Sequence, residues 1–170
     1  METRKQYWLG FNFDVLEFRI IVEEKSSWSL GLRSEAVVKV RIKNEIIISA
    51  AEGNGPINAL DKALKKALEH YFSVSSLFIA DYKVKKVRSL DTKKKGSASS
   101  VKIVIVISNG KEIVGKNRSK KTWKAEAVSE NIIEASLFAL VKALDQAISE
   151  RPLSPQKTAS LSLFKFFAHK

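Results

Sequence analysis

The sequence predicts an α+β fold of two pseudo-symmetric βββα units, with antiparallel sheets covered by helices and chains paired as dimers. Three observations predict it. Strand-like segments come in two sets of three, and each set is followed by an amphipathic helix. The two helices also match each other without a gap: Ala59, Ala63, Leu64, Lys66, Ala67 and Leu68 meet the same residue types at Ala135, Ala139, Leu140, Lys142, Ala143 and Leu144, a constant offset of 76. The strands before them match as VVKVRI from Val37 against VKIVIV from Val101. The units fall at 15–72 and 77–149, behind a lead-in of 1–14 and ahead of a basic tail at 151–170. Three strands and one helix make a thin layer, and packing two units together, or two units and two chains, would bury the rest.

The lead-in carries Trp8, Phe11 and Phe13, which suit packing on the first strand or on a neighbouring domain. Leu16 to Val22 has strand-forming residue types. Residues 23–33 form a loop with Gly31 and Trp28. Glu35 to Ile42 alternates, with Val38, Val40 and Ile42 on one face. Lys43 and Asn44 turn the chain, and Glu45 to Ala51 returns. Then comes the turn Gly53-Asn54-Gly55 and Pro56 at a helix start. Glycine supplies turn conformations, and proline suits the first helical position because the N–H it lacks would be unbonded there. Leu60, Leu64 and Leu68 with Ala63 and Ala67 form the apolar face of a helix that runs toward Phe72. Such a helix start can receive an anion, but a tight strand-to-helix turn explains the glycines as well.

The pattern then repeats. Leu77 to Val87 is a strand and residues 88–96 a charged loop. Ala98 to Ile107 alternates strongly, residues 108–121 make a polar connection, and Thr122 to Val128 is the last strand. Asn131 and Glu134 have the spacing of a capping box. Ile133, Leu137, Leu140, Val141, Leu144 and Ile148 form the buried stripe of the second helix. Residues 151–170, with Pro152, Pro155 and LSLFKFFAHK, read as a frayed terminus, with a docking tail as the alternative.

An apolar fraction of 45% fits a folded domain rather than a disordered chain. The chain has no cysteine, which removes disulfides and thiolate metal sites. No segment has the length of a membrane span or a signal peptide, so the expectation is a soluble, cytoplasmic protein without a membrane partner. The net charge of +12 raises nucleic acid as a partner. Against that reading, lysine far outnumbers arginine and the lysines are spread along the chain. Catalysis has little to stand on. His70 and His169 are the only histidines, and Gly53-x-Gly55 lacks both the third glycine of a dinucleotide fingerprint and a Walker lysine.

Several stretches carry a family resemblance: FDVLEFRIIVEE (13–24), SEAVVKVRI (34–42), AAEGNGPINALDKALKKAL (50–68), DYKV (81–84), GSASSVKI (96–103) and VSENIIEAS (128–136). In this order and spacing the chain resembles the C-terminal regulatory domain of the 2-isopropylmalate synthase and citramalate synthase family. DYKV and the opening FDVLEFRIIVEE look closer to the citramalate branch. The resemblance implies a βββα duplication, a homodimer, and feedback inhibition by a branched-chain amino acid bound near the dimer interface. In that family isoleucine inhibits citramalate synthases and leucine inhibits isopropylmalate synthases. It also implies that catalysis belongs to a separate TIM barrel, which condenses acetyl-CoA with pyruvate or 2-oxoisovalerate using a divalent metal. No cofactor, metal or catalytic residue is expected in this domain, which is either an excised piece or a stand-alone relative.

The implied effector pocket runs through DYKV, the turn at Gly96-Ser97-Ala98 and the segment opening the second helix. Free N–H groups around Ser129, Glu130 and Asn131 suit the effector's carboxylate. Carbonyls near Ile79, or the Asp81 carboxylate, suit its ammonium. Ile79, Tyr82, Ala98, Val101 and Ile132 suit its side chain. Lys86 stands where the family usually has an apolar pocket residue, Ser97 and Ser99 replace Thr and Ala, and the last strand reads KAEAVS where the family has a glycine. A lysine aimed into the pocket opposes an apolar side chain. The alternatives to a sensor are a basic nucleic-acid-binding module and a dimerisation domain without a ligand.

Overall fold

The computed structural model describes residues 11–24, 32–87, 100–110 and 121–150. The first unit is β1 (Asp14–Glu24), β2 (Leu32–Ile42), β3 (Glu45–Gly53) and α1 (Pro56–Leu68). The second is β4 (Phe78–Lys86), β5 (Val101–Ser108), β6 (Thr122–Ser129) and α2 (Ile132–Ser149). The strands form two antiparallel three-stranded sheets, β1-β2-β3 and β4-β5-β6. Each helix lies on its own sheet, α1 against β3 and β2 and α2 against β6 and β5, and the helices touch each other. Trp8, Trp28 and the tail lie outside the described residues.

The alternation read from the sequence decides which face meets the helix. Val38, Val40 and Ile42 in β2 and Ile103, Ile105 and Ile107 in β5 are all fully buried. Above them, Leu60, Leu64 and Leu68 of α1 and Leu140 and Leu144 of α2 are also fully buried. Burying one such side chain contributes roughly 1.5–3 kcal/mol. Alanines at 59, 63 and 67, and at 135, 139 and 143, let the helix backbones approach the sheets closely. These residues form one continuous core across both units. Phe13 joins that core, although it falls in the lead-in by sequence.

The duplication extends to polar ties. Lys66 Nζ donates to the carbonyl of Ala50 at 3.3 Å, and Lys142 Nζ donates to that of Glu126 at 3.4 Å. Both lysines and both carbonyls occupy matching positions of the repeat. The units are also clasped to each other: Asn12 donates to Asp145 Oδ1 from its backbone at 2.7 Å and from its side chain at 2.8 Å, and donates to Ser149 Oγ at 2.9 Å.

The structure corrects the expectation in four places. First, the ungapped strand match is out of register. Val38 pairs with Ser49, and Ile105 pairs with Ala125, the residue matching Ser49 in the repeat. Val38 therefore answers Ile105, while the ungapped match sets it against Lys102 on the opposite face. Second, α1 ends at Leu68, where Tyr71 N and Phe72 N both bond the Leu68 carbonyl and turn the chain. Phe72, Val74 and Leu77 then fill the core from the connection. Third, β5 starts at Val101, with Ser100 outside it, and the earlier part of the expected strand, from Ala98, lies outside the described residues. Fourth, the turn glycines are not there for a left-handed backbone. Gly55 is an extended N-cap at φ −172°, and the positive φ lies at Lys43, 54°. Gly53 answers to space: a Cβ there would stand 2.4 Å from Ala59 N and 2.7 Å from Asn58 Oδ1.

Gly53→Ala drives a methyl into helix backbone and should cost roughly 3 kcal/mol. Gly55→Ala, with nothing within 4 Å of the added carbon, should cost about 1 kcal/mol or less. Urea unfolding of the two variants checks this, and equal losses would contradict it.

Candidate functional site

The two helix starts are built differently. Pro56 opens α1 and no side chain caps it. At α2, Asn131 Oδ1 accepts from Ile133 N at 2.9 Å and Glu134 N at 3.3 Å. The return half of the expected capping box runs through Ser129: its Oγ accepts from Asn131 N at 3.0 Å and donates to the Glu134 carboxylate at 2.7 Å. Ser129 is thus a link of the cap. The expectation of free N–H groups around Ser129–Asn131 fails at Asn131, whose amide is taken by Ser129, and the amides of Ile133 and Glu134 beyond it are taken by Asn131.

Beside this helix start lies the end of the second sheet that holds the last pairs of β4 with β5. Lys86, Val101 and Ser129 sit side by side in one cross-strand row. One row deeper, Val84 pairs with Ile103, and the next row holds Tyr82 and Ile105. Ser136 Oγ donates to the Ile132 carbonyl at 2.6 Å, so it accepts from the Tyr82 hydroxyl at 2.8 Å. That bond ties β4 to α2. One helical turn back from Ser136 is Ile132, 43% exposed, and two residues along β4 from Tyr82 is Val84, 48% exposed. Two half-exposed aliphatic side chains and the exposed Lys86 thus lie at this end of the second unit.

Of the expected pocket residues, the structure gathers Tyr82, Lys86, Val101, Ser129, Asn131 and Ile132 at this end. Ile79 does not join them. It pairs with Ile107 in the row of Trp123 and packs on the core at the other end of the sheet. Asp81 lies on the outer face, turned from the helix, and forms an ion pair with Lys83 at 2.6 Å. The hydrogen bond from Lys83 holds its carboxyl below the usual value. A bulge between Ile79 and Asp81 explains the split, since the extra residue, Ala80, sends the next acid to the opposite face. Glu130 is exposed beside the cap. Ser97 and Ala98 lie outside the described residues.

The outer face of the second sheet gathers Lys83, Lys85, Lys102 and Lys124 with Asp81 and Glu126. Two of the four lysines are engaged, Lys83 with Asp81 and Lys102 with Glu126, each at 2.6 Å. Among the described residues, no three His, Cys, Asp or Glu side chains gather as a metal group, and no helix is long and apolar enough to cross a membrane.

The family model of the LeuA allosteric (dimerisation) domain matches residues 6–148. The chain belongs to this family. The LeuA domain is 38% identical over 134 residues to an (R)-citramalate synthase of Geobacter sulfurreducens, covering 78% of this chain and 23% of the relative. An (R)-citramalate synthase of Streptomyces coelicolor is 35% identical over 144 residues, 84% of this chain and 24% of the relative. A 2-isopropylmalate synthase of Ruminiclostridium cellulolyticum is 30% identical over 117 residues, 69% of this chain and 19% of the relative. The LeuA domain therefore sits on the citramalate side and spans about a quarter or less of the length of these relatives. It is a regulatory domain and not the catalytic part of such a protein.

One buried group of the LeuA domain escaped the sequence reading. Asp61, 6% exposed on α1, holds Lys65 Nζ at 2.6 Å through Oδ2, while its buried Oδ1 has no partner. The matching positions of α2 are Leu137 and Val141. Burial pushes the Asp61 carboxyl above its usual 3.8, against the pull of Lys65. The stability gained by protonating it is full below that usual value and is lost as pH rises through the raised one. Lys65→Met should therefore cost about 2–4 kcal/mol at neutral pH, and less in acid. The double variant Asp61→Leu, Lys65→Val should be neutral or stabilising. Urea midpoints at several pH values check both, and a pH-independent loss for Lys65→Met would contradict this reading.

Proposed function

We propose that this chain is the allosteric sensor of a citramalate synthase, binding a branched-chain amino acid for feedback inhibition. Isoleucine is the favoured effector and leucine the alternative, following the similarity to the citramalate branch. The observation that carries the reading is that Val84 and Ile132 are left half-exposed, with Lys86 exposed, at the end of the second sheet near the start of α2. A folded domain gains by covering such aliphatic surface, and a branched side chain is the right size to do so. Lys86, which opposed the effector in the sequence reading, takes its carboxylate in this one, because the amides of Asn131, Ile133 and Glu134 at the helix start are occupied. The ammonium group faces the Ser129–Glu134 pair.

The effector acts through a homodimer, where binding shifts an equilibrium between two arrangements of the pair. The acetyl-CoA condensation, its 2-oxo acid and its divalent metal belong to a catalytic barrel on the parent protein. A cytoplasmic location goes with that biosynthetic role.

Calorimetric titration of the purified chain with isoleucine, leucine, valine and a non-cognate amino acid tests the reading. One branched-chain amino acid should bind saturably, and Lys86→Met should weaken it about tenfold or more, the loss of one charge-assisted contact. Absence of heat with every amino acid from a folded dimer would refute it. Binding to RNA that weakens steeply with salt would then favour the lysine-bearing outer face of the second sheet as the working surface.

A further inference from the structure

The two strand bulges fix a register that reveals a second repeat. β1 is irregular between Val15 and Glu17, and β4 between Ile79 and Asp81. Aligned on them, Glu17-Phe18-Arg19-Ile20 answers Asp81-Tyr82-Lys83-Val84: acid, aromatic, base, aliphatic in each. Phe18 and Tyr82 both pack against the core. The acid and the base therefore lie together on the outer face of each sheet.

The two copies differ in what those charges do. In the second unit the pair is closed, Lys83 to Asp81 at 2.6 Å. In the first, Glu17, Arg19 and the neighbouring Lys39 make no ion pair or side-chain hydrogen bond among the described residues. They surround an open depression of about 210 Å³, lined by Glu17, Phe18, Arg19, Val37, Lys39 and Ile48. Glu17 pairs with Lys39, and Lys39 with Ile48; Arg19 pairs with Val37. Cross-strand neighbours stand about 4.5–5.5 Å apart at Cβ. Ile48 is 66% exposed, so the depression has an apolar side as well as charges of both signs. Its size falls below the roughly 300–1,000 Å³ of clefts for drug-sized ligands, which suits one small metabolite.

We propose that this outer face of the first sheet is a second amino-acid site, taking a free α-amino acid with an aliphatic side chain. Arg19 and Lys39 hold the carboxylate, Glu17 holds the ammonium, and Val37 and Ile48 receive the side chain. A polyanion would meet Glu17 and an uncharged apolar ligand would leave all three charges unused; a zwitterion with an aliphatic arm uses every group. The site stands apart from the proposed effector site: it is in the other unit and on a face turned away from the helices.

The test uses the full chain labelled at its Ile, Leu and Val methyl groups, titrated with isoleucine, leucine, valine and 3-methyl-2-oxopentanoate. The Ile48 and Val37 methyls should shift saturably with at least one of the amino acids. The oxo acid, which lacks the ammonium, should bind there more weakly. Arg19→Met and Glu17→Gln should each weaken these shifts about tenfold or more while leaving those of Val84 and Ile132 in place. Lys39→Gln replaces either variant that fails to fold by circular dichroism. If Ile48 and Val37 stay still up to the solubility limit of every amino acid, or still shift unchanged in both variants, the site is refuted. Movement of Val84 and Ile132 alone refutes this site and leaves the effector reading standing. Movement of Ile48 and Val37 alone does the reverse.

Discussion

The alanine rows of α1 and α2 set how closely helix and sheet approach, and the rest of the fold follows from that distance. Ala59, Ala63 and Ala67 present almost no side chain, so the α1 backbone settles onto β3. At that separation Ser49 reaches the Ala63 carbonyl at 2.6 Å, and Lys62 and Lys66 reach strand carbonyls from the flanks of the helix. The strand end must also pass the helix start with no side chain between them, which is why Gly53 stands where it does. The second unit repeats the scheme with Ala135, Ala139 and Ala143, and with Lys142 in place of Lys66.

Two copies of one scheme can then diverge where packing does not constrain them. The core rows are nearly interchangeable. The helix starts, the outer sheet faces and one buried position are not. α2 is sealed by Asn131 and Ser129, while α1 opens on a bare glycine and a proline. The buried Asp61–Lys65 pair replaces what is Leu137 and Val141 in the other helix, and its desolvation costs stability that a leucine would not. Asp81 and Lys83 close on each other where Glu17 and Arg19 stay apart. Ligand chemistry in a regulatory domain of this kind belongs to these unequal places.

The βββα order, the buried faces and both helices were legible because period-2 and period-3.6 patterns report burial directly. The register between the two units was not. Ungapped matching of VVKVRI with VKIVIV slides the strands by an odd number of positions, and an odd slip puts Val38 on the wrong face. The bulges at Leu16 and Ala80 were equally hidden, and with them the separation of Asp81 from Ile79 and the EFRI/DYKV repeat. Ser129 looked like a ligand donor for a similar reason. Its role in the cap needs the three-dimensional path from Asn131 through its hydroxyl to Glu134. Tyr82, Val101 and Ile132 were placed together by motif order, and the fold sets them at one end of one sheet.

The most direct test of sensing is amide hydrogen exchange of the intact chain with and without saturating isoleucine. The account predicts added protection at the ends of β4 and β5 around Lys86 and Val101 and in the first turn of α2, where the effector covers Val84 and Ile132. Unchanged exchange there would contradict it, even if protection rose elsewhere.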